Sequence, residues 1–280
     1  MYNQIFLKTG LFPLINIIYL FLGLSTLLLS CIIRFAFYKR ENARKKKLWQ
    51  ESIATIISQA IFFQDDEDEW IDFTYKIDRL LQNVVFRNNL VDELIQAMKN
   101  LSGGSITNLK KLYNILALDN DSLDKLNSSR SHVQAKGIQE LAMMGQINHV
   151  KQIFRHTNNN NELVRNEAQS ALVSFYGFPG LRFLNVATHP ISEWQQIQLL
   201  NKLKDTTAKN FEPLNKWMHS QTDSIKVFAL KLATFYSCSD MYGNVTLCLQ
   251  SSNPQVKINA LEYLRKMKDF FPQLNKGIAA

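Results

Sequence analysis

The chain has 280 residues, enough for a membrane anchor and one sizeable domain, and its 46% hydrophobic content excludes disorder throughout. With only 10 Gly and 6 Pro it lacks the turn residues of an all-β fold, so helices are expected. The net charge of +8 would suit a nucleic-acid-binding protein if it were spread over the chain. Residues 1–47 contain eight Lys and Arg and one Glu, which is +7 of this charge. The remaining residues carry about +1, so no nucleic-acid partner is expected.

Residues 14–33 form an uncharged apolar run of twenty residues, enough to cross a hydrocarbon core of about 30 Å. We predict a single transmembrane helix within an N-terminal segment of residues 1–38. One Lys precedes the run, whereas a basic juxtamembrane collar, residues 39–47, follows it. The positive-inside rule therefore places the C-terminal domain on the cytoplasmic side of an inner (plasma) membrane. The collar is also expected to attract anionic lipid headgroups, and its basic residues are Lys39, Arg40, Arg44, Lys45, Lys46 and Lys47.

Two alternatives for the apolar run involve processing. A cleaved signal peptide is disfavoured because the run is too long and no A-x-A site follows it. The stretch Leu28-Leu29-Ser30-Cys31 resembles a bacterial lipobox, although apolar residues continue past Cys31. A lipoprotein would have its domain on the opposite face of the membrane. The other cysteines, Cys238 and Cys248, lack metal-ligand spacing and are expected to be reduced and buried.

Residues 48–127 are predicted to form a helical N-terminal cap region without a clear repeat, and a further divergent repeat within them stays open. The acidic run Asp65–Glu69 lacks the alternation and the Gly of a calcium loop, so a solvated loop is expected there. Ser102–Ser105 should form a turn, and Asp119–Ser122 should end the last helix of the region. The predicted helices cover residues 48–63, 77–85, 90–101 and 106–118.

A nine-residue template recurs along residues 128–270, most clearly as Val164-Arg165-x-x-Ala168-x-x-x-Leu172. Apolar residues at i, i+4 and i+8 form one helical face, and the small central residue lets a neighbouring helix approach closely. The copies start at Val133, Val164, Gln195, Ile225 and Val256. Their helices are expected to begin at Ser131, Glu162, Glu193, Asp223 and Pro254. A second set of apolar residues recurs between the template copies with a similar period: Val150, Leu181, Leu214 and Val245. Each repeat is therefore predicted to be a pair of helices.

The template resembles the HEAT-repeat family, in which an apolar residue precedes a basic one, as at Val164-Arg165, Ile225-Lys226 and Val256-Lys257. Gln134 and Gln196 depart from the basic position. The resemblance implies a bacterial-type all-α protein with an N-terminal transmembrane helix. That helix would be followed by an α-solenoid of HEAT-type helical hairpins, residues 128–270, and by a C-terminal tail, residues 271–280.

The sequence contains no catalytic motif, and its five histidines have no metal-ligand spacing, so neither an enzyme nor a cofactor is predicted. The expected function is a membrane-anchored scaffold or adaptor that binds a protein partner, in particular a membrane-embedded one, at the cytoplasmic face. Two alternatives follow from the resemblance: a nucleic-acid-binding protein of the DNA-glycosylase-like type, and a HEAT-like lyase.

The predicted partner-facing residues are Lys151 and Arg182, which share a position one residue past the apolar column of the second helices. They are expected to form a small basic stripe. Three aromatic residues, Phe183, Trp194 and Trp217, would suit either a partner surface or the core. Core packing is the expected role, above all for Trp217.

Overall fold

The computed structural model describes residues 2–62, 78–206 and 211–270, and over these residues the protein is helical, without a strand. The chain divides into two compact units, residues 1–71 and residues 72–280. The acidic run Asp65–Glu69 and the tail of residues 271–280 lie outside the described residues.

The first unit contains one helix, α1 (Tyr2–Phe62), which by length and composition could cross a membrane. The apolar side chains between Ile17 and Tyr38 are exposed. The predicted helix over residues 48–63 is confirmed through Phe62, but it is not a separate element, because α1 is continuous through the basic collar. The chain from Leu24 to Phe62 contains no Gly or Pro, and Lys and Arg are good helix formers.

The collar side chains Lys39, Arg40 and Arg44–Lys47 are exposed on α1. Two of them pair with carboxylates one turn away: Lys45 Nζ lies 3.0 Å from Glu41 Oε1, and Lys47 Nζ lies 4.0 Å from Glu51 Oε1. Exposed pairs of this kind contribute little to stability. The collar therefore keeps most of its charge available to the surroundings.

The described part of the second unit opens with helical residues 78–81, which are followed by α2 (Val84–Asn100) and α3 (Gly104–Ile115). The predicted helix over residues 77–85 is confirmed in part: it ends at Leu81, because Asn83 is the N-cap of α2 and accepts hydrogen bonds from Val85 N (2.9 Å) and Phe86 N (3.3 Å). The turn predicted at Ser102–Ser105 is confirmed in part: Gly103 has a φ of 68°, and α3 begins at the next residue. Glycine adopts this left-handed region without strain.

The stretch Asp119–Ser122, predicted to end a helix, instead begins one, α4 (Asp119–Leu126). The break between α3 and α4 is at Ala117, whose φ is +46°. Asp119 and Asp121 stand in the first turn of α4, where negative charge favours a helix N-terminus. Asp121 also accepts two hydrogen bonds from Arg87, at 2.7 and 2.9 Å. Residue type alone therefore does not decide whether an acidic stretch begins or ends a helix.

All five helix starts predicted from the template are confirmed: Ser131, Glu162, Glu193, Asp223 and Pro254 each begin a helix. The second elements of the pairs are shorter than the first, and one of them is a 3-10 segment (Phe178–Asn185) rather than an α-helix. In chain order the α-helices are α5 (Ser131–Met143), α6 (Val150–Phe154), α7 (Glu162–Tyr176), α8 (Glu193–Leu203), α9 (Glu212–Met218), α10 (Asp223–Phe235), α11 (Tyr242–Cys248) and α12 (Pro254–Phe270).

The template positions form the core-facing side of these five longer helices. Val133 and Leu264 are half-buried, and every other template position is buried. Gly137 on α5 shows why the central residue is small: a Cβ there would lie 2.5 Å from Leu126 N and 2.6 Å from Ser122 O on α4. In the second elements, Leu181, Leu214 and Val245 are buried and Val150 is half-buried.

In three of the five copies, the residue after the first template position donates a hydrogen bond to the chain that precedes the helix. Arg165 donates to the main-chain oxygen of Asn159 at 2.7 Å. Gln134 donates to Leu126 O at 2.9 Å, and Gln196 to Ile191 O at 3.1 Å. Glutamine fills the position because the contact needs an N–H group rather than a positive charge.

The helices pack in chain order. α4 lies against α5, α5 against α7, and α7 against α8; farther along, α9 and α12 both lie against α10. Ile191 N donates to Ser224 Oγ at 3.0 Å and so joins the start of α8 to the start of α10. A continuous apolar core that includes Trp217 and Phe228 runs through the elements from α7 to α12.

Candidate partner-binding groove

A groove of about 610 Å³ opens on the second unit between α6, the C-terminal half of α7 and the 3-10 segment. Its volume falls in the range of about 300–1,000 Å³ that is usual for ligand sites. We call this site the basic groove. Its lining residues are Val150, Lys151, Phe154, Arg155, Leu172, Tyr176, Pro179, Gly180 and Arg182.

Glycine and proline position the 3-10 segment that forms one wall. Gly177 ends α7 with a φ of 62°, and Pro179 stands in the first turn of the segment. A Cβ on Gly180 would clash with the main-chain oxygen of Leu172 and would lie 2.8 Å from Val173 Cα. The wall can therefore lie directly on the last turns of α7 only because residue 180 is glycine.

Hydrogen bonds fix the loop that follows the opposite wall, α6. The side-chain amide of Asn158 donates to Val186 O at 2.6 Å, and its oxygen accepts from Thr188 N at 3.0 Å. Asn161 caps α7 by accepting from Leu163 N and Val164 N at 3.1 and 3.4 Å. Residues 158–161 form this loop. These contacts tie the two walls of the groove together and set its width.

The floor of the basic groove is apolar. Leu172 is only 4% exposed there, whereas the larger side chains Phe154 (41%) and Tyr176 (45%) remain open to solvent. Phe154 and Tyr176 contribute aromatic surface that nothing in the described residues covers. An exposed aromatic surface inside a concave site favours binding of an apolar group.

Three positive charges line the same groove. Lys151, Arg155 and Arg182 are exposed, and no carboxylate of the described residues lies within 4.0 Å of their nitrogen atoms. Lys151 and Arg182, predicted to share a basic stripe, are brought together in the lining of one cavity. Sequence reasoning missed Arg155. The signal for it is its spacing from Lys151, because residues i and i+4 share a helical face.

The polar side chains of the described lining are those of Lys151, Arg155, Tyr176 and Arg182. The described lining residues include no carboxylate, histidine or cysteine. His156, next to Arg155, has its pKa lowered by burial and then by the positive charge of Arg155, so it is neutral at pH 7. Among the described residues, no three His, Cys, Asp or Glu side chains are grouped to hold a metal ion.

The remaining candidate residues divide between core and surface. Trp217 and Phe183 are buried, as expected, but Trp194 on α8 is 67% exposed, so core packing is wrong for this residue. Cys238 and Cys248 are buried and unpaired, and burial raises the pKa of the Cys238 thiol to about 11. Cys31 is exposed on α1. A thiol with a raised pKa is a poor nucleophile, so the buried cysteines are structural.

No family model matches the chain, and no curated protein is similar to it. Among solved structures, the crystal structure of an engineered protein superposes with a TM-score of 0.38 and 13% sequence identity, covering 69% of this chain and 97% of that one. The class of the protein follows from its own helices. It is an all-helical protein with one N-terminal helix that is long and apolar enough to cross a membrane.

Proposed function

We propose that the protein is a membrane-anchored scaffold or adaptor whose helical second unit binds a protein partner at the cytoplasmic face of the inner membrane. The observation that carries this proposal is the basic groove. It combines an apolar floor with three cations that have no carboxylate partner in the described residues. Exposed apolar surface with a polar rim is typical of an interaction site, and the three cations can pair with an acidic partner.

Anchoring by α1 is supported by the exposure of its apolar side chains. From Ile17 to Tyr38 these side chains have no protein neighbour that buries them, and a hydrocarbon environment would cover them. The collar then sets the orientation, because positive residues near a span stay in the cytoplasm. An anchor also raises the effective concentration of any partner that lies in the same membrane.

A HEAT-type α-solenoid is the proposed arrangement of residues 128–270. The longer helices begin at Ser131, Glu162, Glu193, Asp223 and Pro254, a spacing of 30 or 31 residues. The first four of these helices are each followed by a shorter element, and the template positions of all five face the core. Stacked pairs of this kind present long open surfaces, which suits a scaffold better than a closed enzyme pocket.

A first experiment tests the anchor and its orientation. Membranes that contain the full chain are washed with sodium carbonate, and intact cells are labelled separately with a membrane-impermeant maleimide. A variant with a single surface cysteine, Ser239→Cys in a background without the native cysteines, reports on the second unit. The proposal expects the chain to stay in the carbonate pellet. It expects labelling of the Ser239→Cys variant only after the cells are broken, because only then does the maleimide reach the cytoplasmic face. Release by carbonate, or labelling from the outside, would contradict it.

A second experiment tests the scaffold. The full chain is crosslinked in native membranes, purified in mild detergent and analysed by mass spectrometry. A reproducible protein partner is expected, and it should be lost in a variant that combines Lys151→Glu, Arg155→Glu and Arg182→Glu. The control variant carries the same charge change at exposed positions outside the groove: Lys204→Glu, Lys257→Glu and Arg265→Glu. Recovery of nucleic acid, or of the chain alone, would count against a protein scaffold.

A further inference from the structure

The shape and chemistry of the basic groove restrict what it can hold. Leu172 lies at its floor and is almost fully buried, so the group that reaches this point displaces water from an apolar surface. Phe154 and Tyr176 stand higher and are about half exposed, which leaves aromatic surface for the same group to contact. One large apolar side chain of a ligand fits this part of the site.

The charges of the basic groove restrict which ligand groups can lie next to that apolar side chain. Lys151 and Arg155 come from one wall, and Arg182 comes from the other, so cations flank the floor on both sides. None has a carboxylate partner within 4.0 Å in the described part of the chain. Arginine presents planar pairs of N–H groups that match a carboxylate in geometry. A ligand with carboxylates on both sides of its apolar group would satisfy all three.

We propose that the basic groove binds an acidic segment of a partner protein, in which one aromatic or large aliphatic side chain contacts Leu172 and neighbouring carboxylates pair with Lys151, Arg155 and Arg182. This inference rests on the proposed scaffold function and names the partner chemistry of the same site. A continuous polyanion such as nucleic acid fits less well, because residues 48–280 carry a net charge of only about +1. A bilayer lipid fits less well because a groove open to solvent does not enclose acyl chains.

The proposal is tested with a defined probe, the fluorescein-labelled peptide Glu-Asp-Glu-Trp-Glu-Leu-Asp-Glu, and the full chain in detergent micelles. Fluorescence anisotropy should show saturable binding that weakens as salt increases, because exposed ion pairs are screened. Replacing the Trp of the peptide by Gly, or Phe154 of the protein by Ala, should weaken binding at least threefold. The variant with Lys151→Glu, Arg155→Glu and Arg182→Glu should weaken it more than tenfold, and the control variant at Lys204, Lys257 and Arg265 less than twofold.

Circular dichroism of each variant separates a lost site from a lost fold, since both triple variants should keep the helical signal of the parent. If a folded triple variant binds the peptide as tightly as the parent, the proposal is overturned. It is also overturned if short-chain phosphatidylglycerol or a single-stranded oligonucleotide binds more tightly than the peptide and displaces it. A last variant, in which Asp65–Glu69 are neutralised, tests whether the acidic run of this chain itself occupies the basic groove. If neutralising the run raises the affinity for the peptide more than tenfold, the run competes for the groove and the proposal of a partner segment is overturned.

The outcomes separate this inference from the scaffold function itself. If crosslinking recovers a partner that the groove variant still binds, the scaffold stands and the groove assignment fails. If the peptide binds at the groove but the chain in native membranes has no protein partner, the groove chemistry stands and the scaffold fails.

Discussion

The Nε2 atom of Gln195 lies 3.0 Å from the main-chain oxygen of Asn166, so a buried glutamine joins α8 to α7 at a template position that is apolar in the other copies. The sequence alone marks this copy as degenerate, yet its helix begins where the template requires. The amide replaces the packing of a Val or Ile with a hydrogen bond across the same interface.

This contact predicts the effect of shortening Gln195. Gln195→Ala removes both the bond and the buried volume and should lower the free energy of unfolding by about 1–3 kcal/mol. Gln195→Met keeps the volume and should recover more than half of the loss. Urea denaturation in detergent, followed by tryptophan fluorescence, gives both values. Equal stability of the Ala variant and the parent would show that the bond contributes nothing.

A buried ion pair gives a larger expected effect. Glu140 is 1% exposed, and its carboxylate lies 2.7 and 2.8 Å from Lys125 Nζ. Ser122 Oγ donates to the same carboxylate at 2.7 Å. Glu140→Gln leaves the Lys125 charge without its partner and should cost about 3–5 kcal/mol of stability.

The matched control for Glu140 is the exposed pair of Lys136 and Asp92, 2.8 Å apart on side chains that are 44% and 46% exposed. Asp92→Asn should change stability by less than about 1 kcal/mol, since water screens the pair. Asp92 is the member to replace, because Lys136 Nζ also lies 3.9 Å from Glu140 Oε1. If the two variants lose the same stability, burial of Glu140 is not the cause.

Close packing of helices at Gly137 predicts a third result. The Cβ of Gly137→Ala would lie 2.5 Å from Leu126 N, and the strain should destabilise the protein by about 1–3 kcal/mol. Gly243 on α11 has no atom within 4 Å of an added Cβ, so Gly243→Ala should stabilise by about 0.5–1 kcal/mol through helix propensity. Thermal unfolding compares the two. Two shifts of the same sign would contradict the packing argument.

The lowered pKa of His156 predicts that the stability of the protein depends on pH. Its pKa is lowered by burial and by Arg155, so the unfolded chain binds the proton first as the pH falls. The stability that comes from the neutral ring is present above the pKa of an unfolded His, about 6.5, and is lost as the pH falls through the lower folded pKa. Stability at pH 5 relative to pH 7.5 should therefore fall less in His156→Gln than in the parent. An unchanged difference would show that another group controls this range.

Local signals in the sequence account for much of the fold and for part of the site. The starts of α5, α7, α8, α10 and α12 follow from periodic apolar residues and helix-start chemistry, and both are local. Charge patterning separates the collar of residues 39–47 from the membrane segment, but it does not show that α1 is continuous through both.

Features that depend on distant contacts were predicted poorly. Lys151 and Arg182 follow from their shared column, and Arg155 could be found from its four-residue spacing from Lys151, but Tyr176 joins them only through the packing of α7 against the 3-10 segment. The exposure of Trp194 likewise depends on which neighbours cover α8. Spacing along the sequence does not encode such contacts.

Site-specific photocrosslinking in native membranes tests the central claim most directly. Benzoylphenylalanine in place of Tyr176 puts the reactive group in the basic groove, and the same residue in place of Phe235, which is 38% exposed on α10, is the control. We predict one discrete protein adduct from position 176, absent from position 235 and absent when Lys151, Arg155 and Arg182 are changed to Glu. No protein adduct at position 176, or the same adduct at both positions, would contradict a scaffold that binds its partner through this groove.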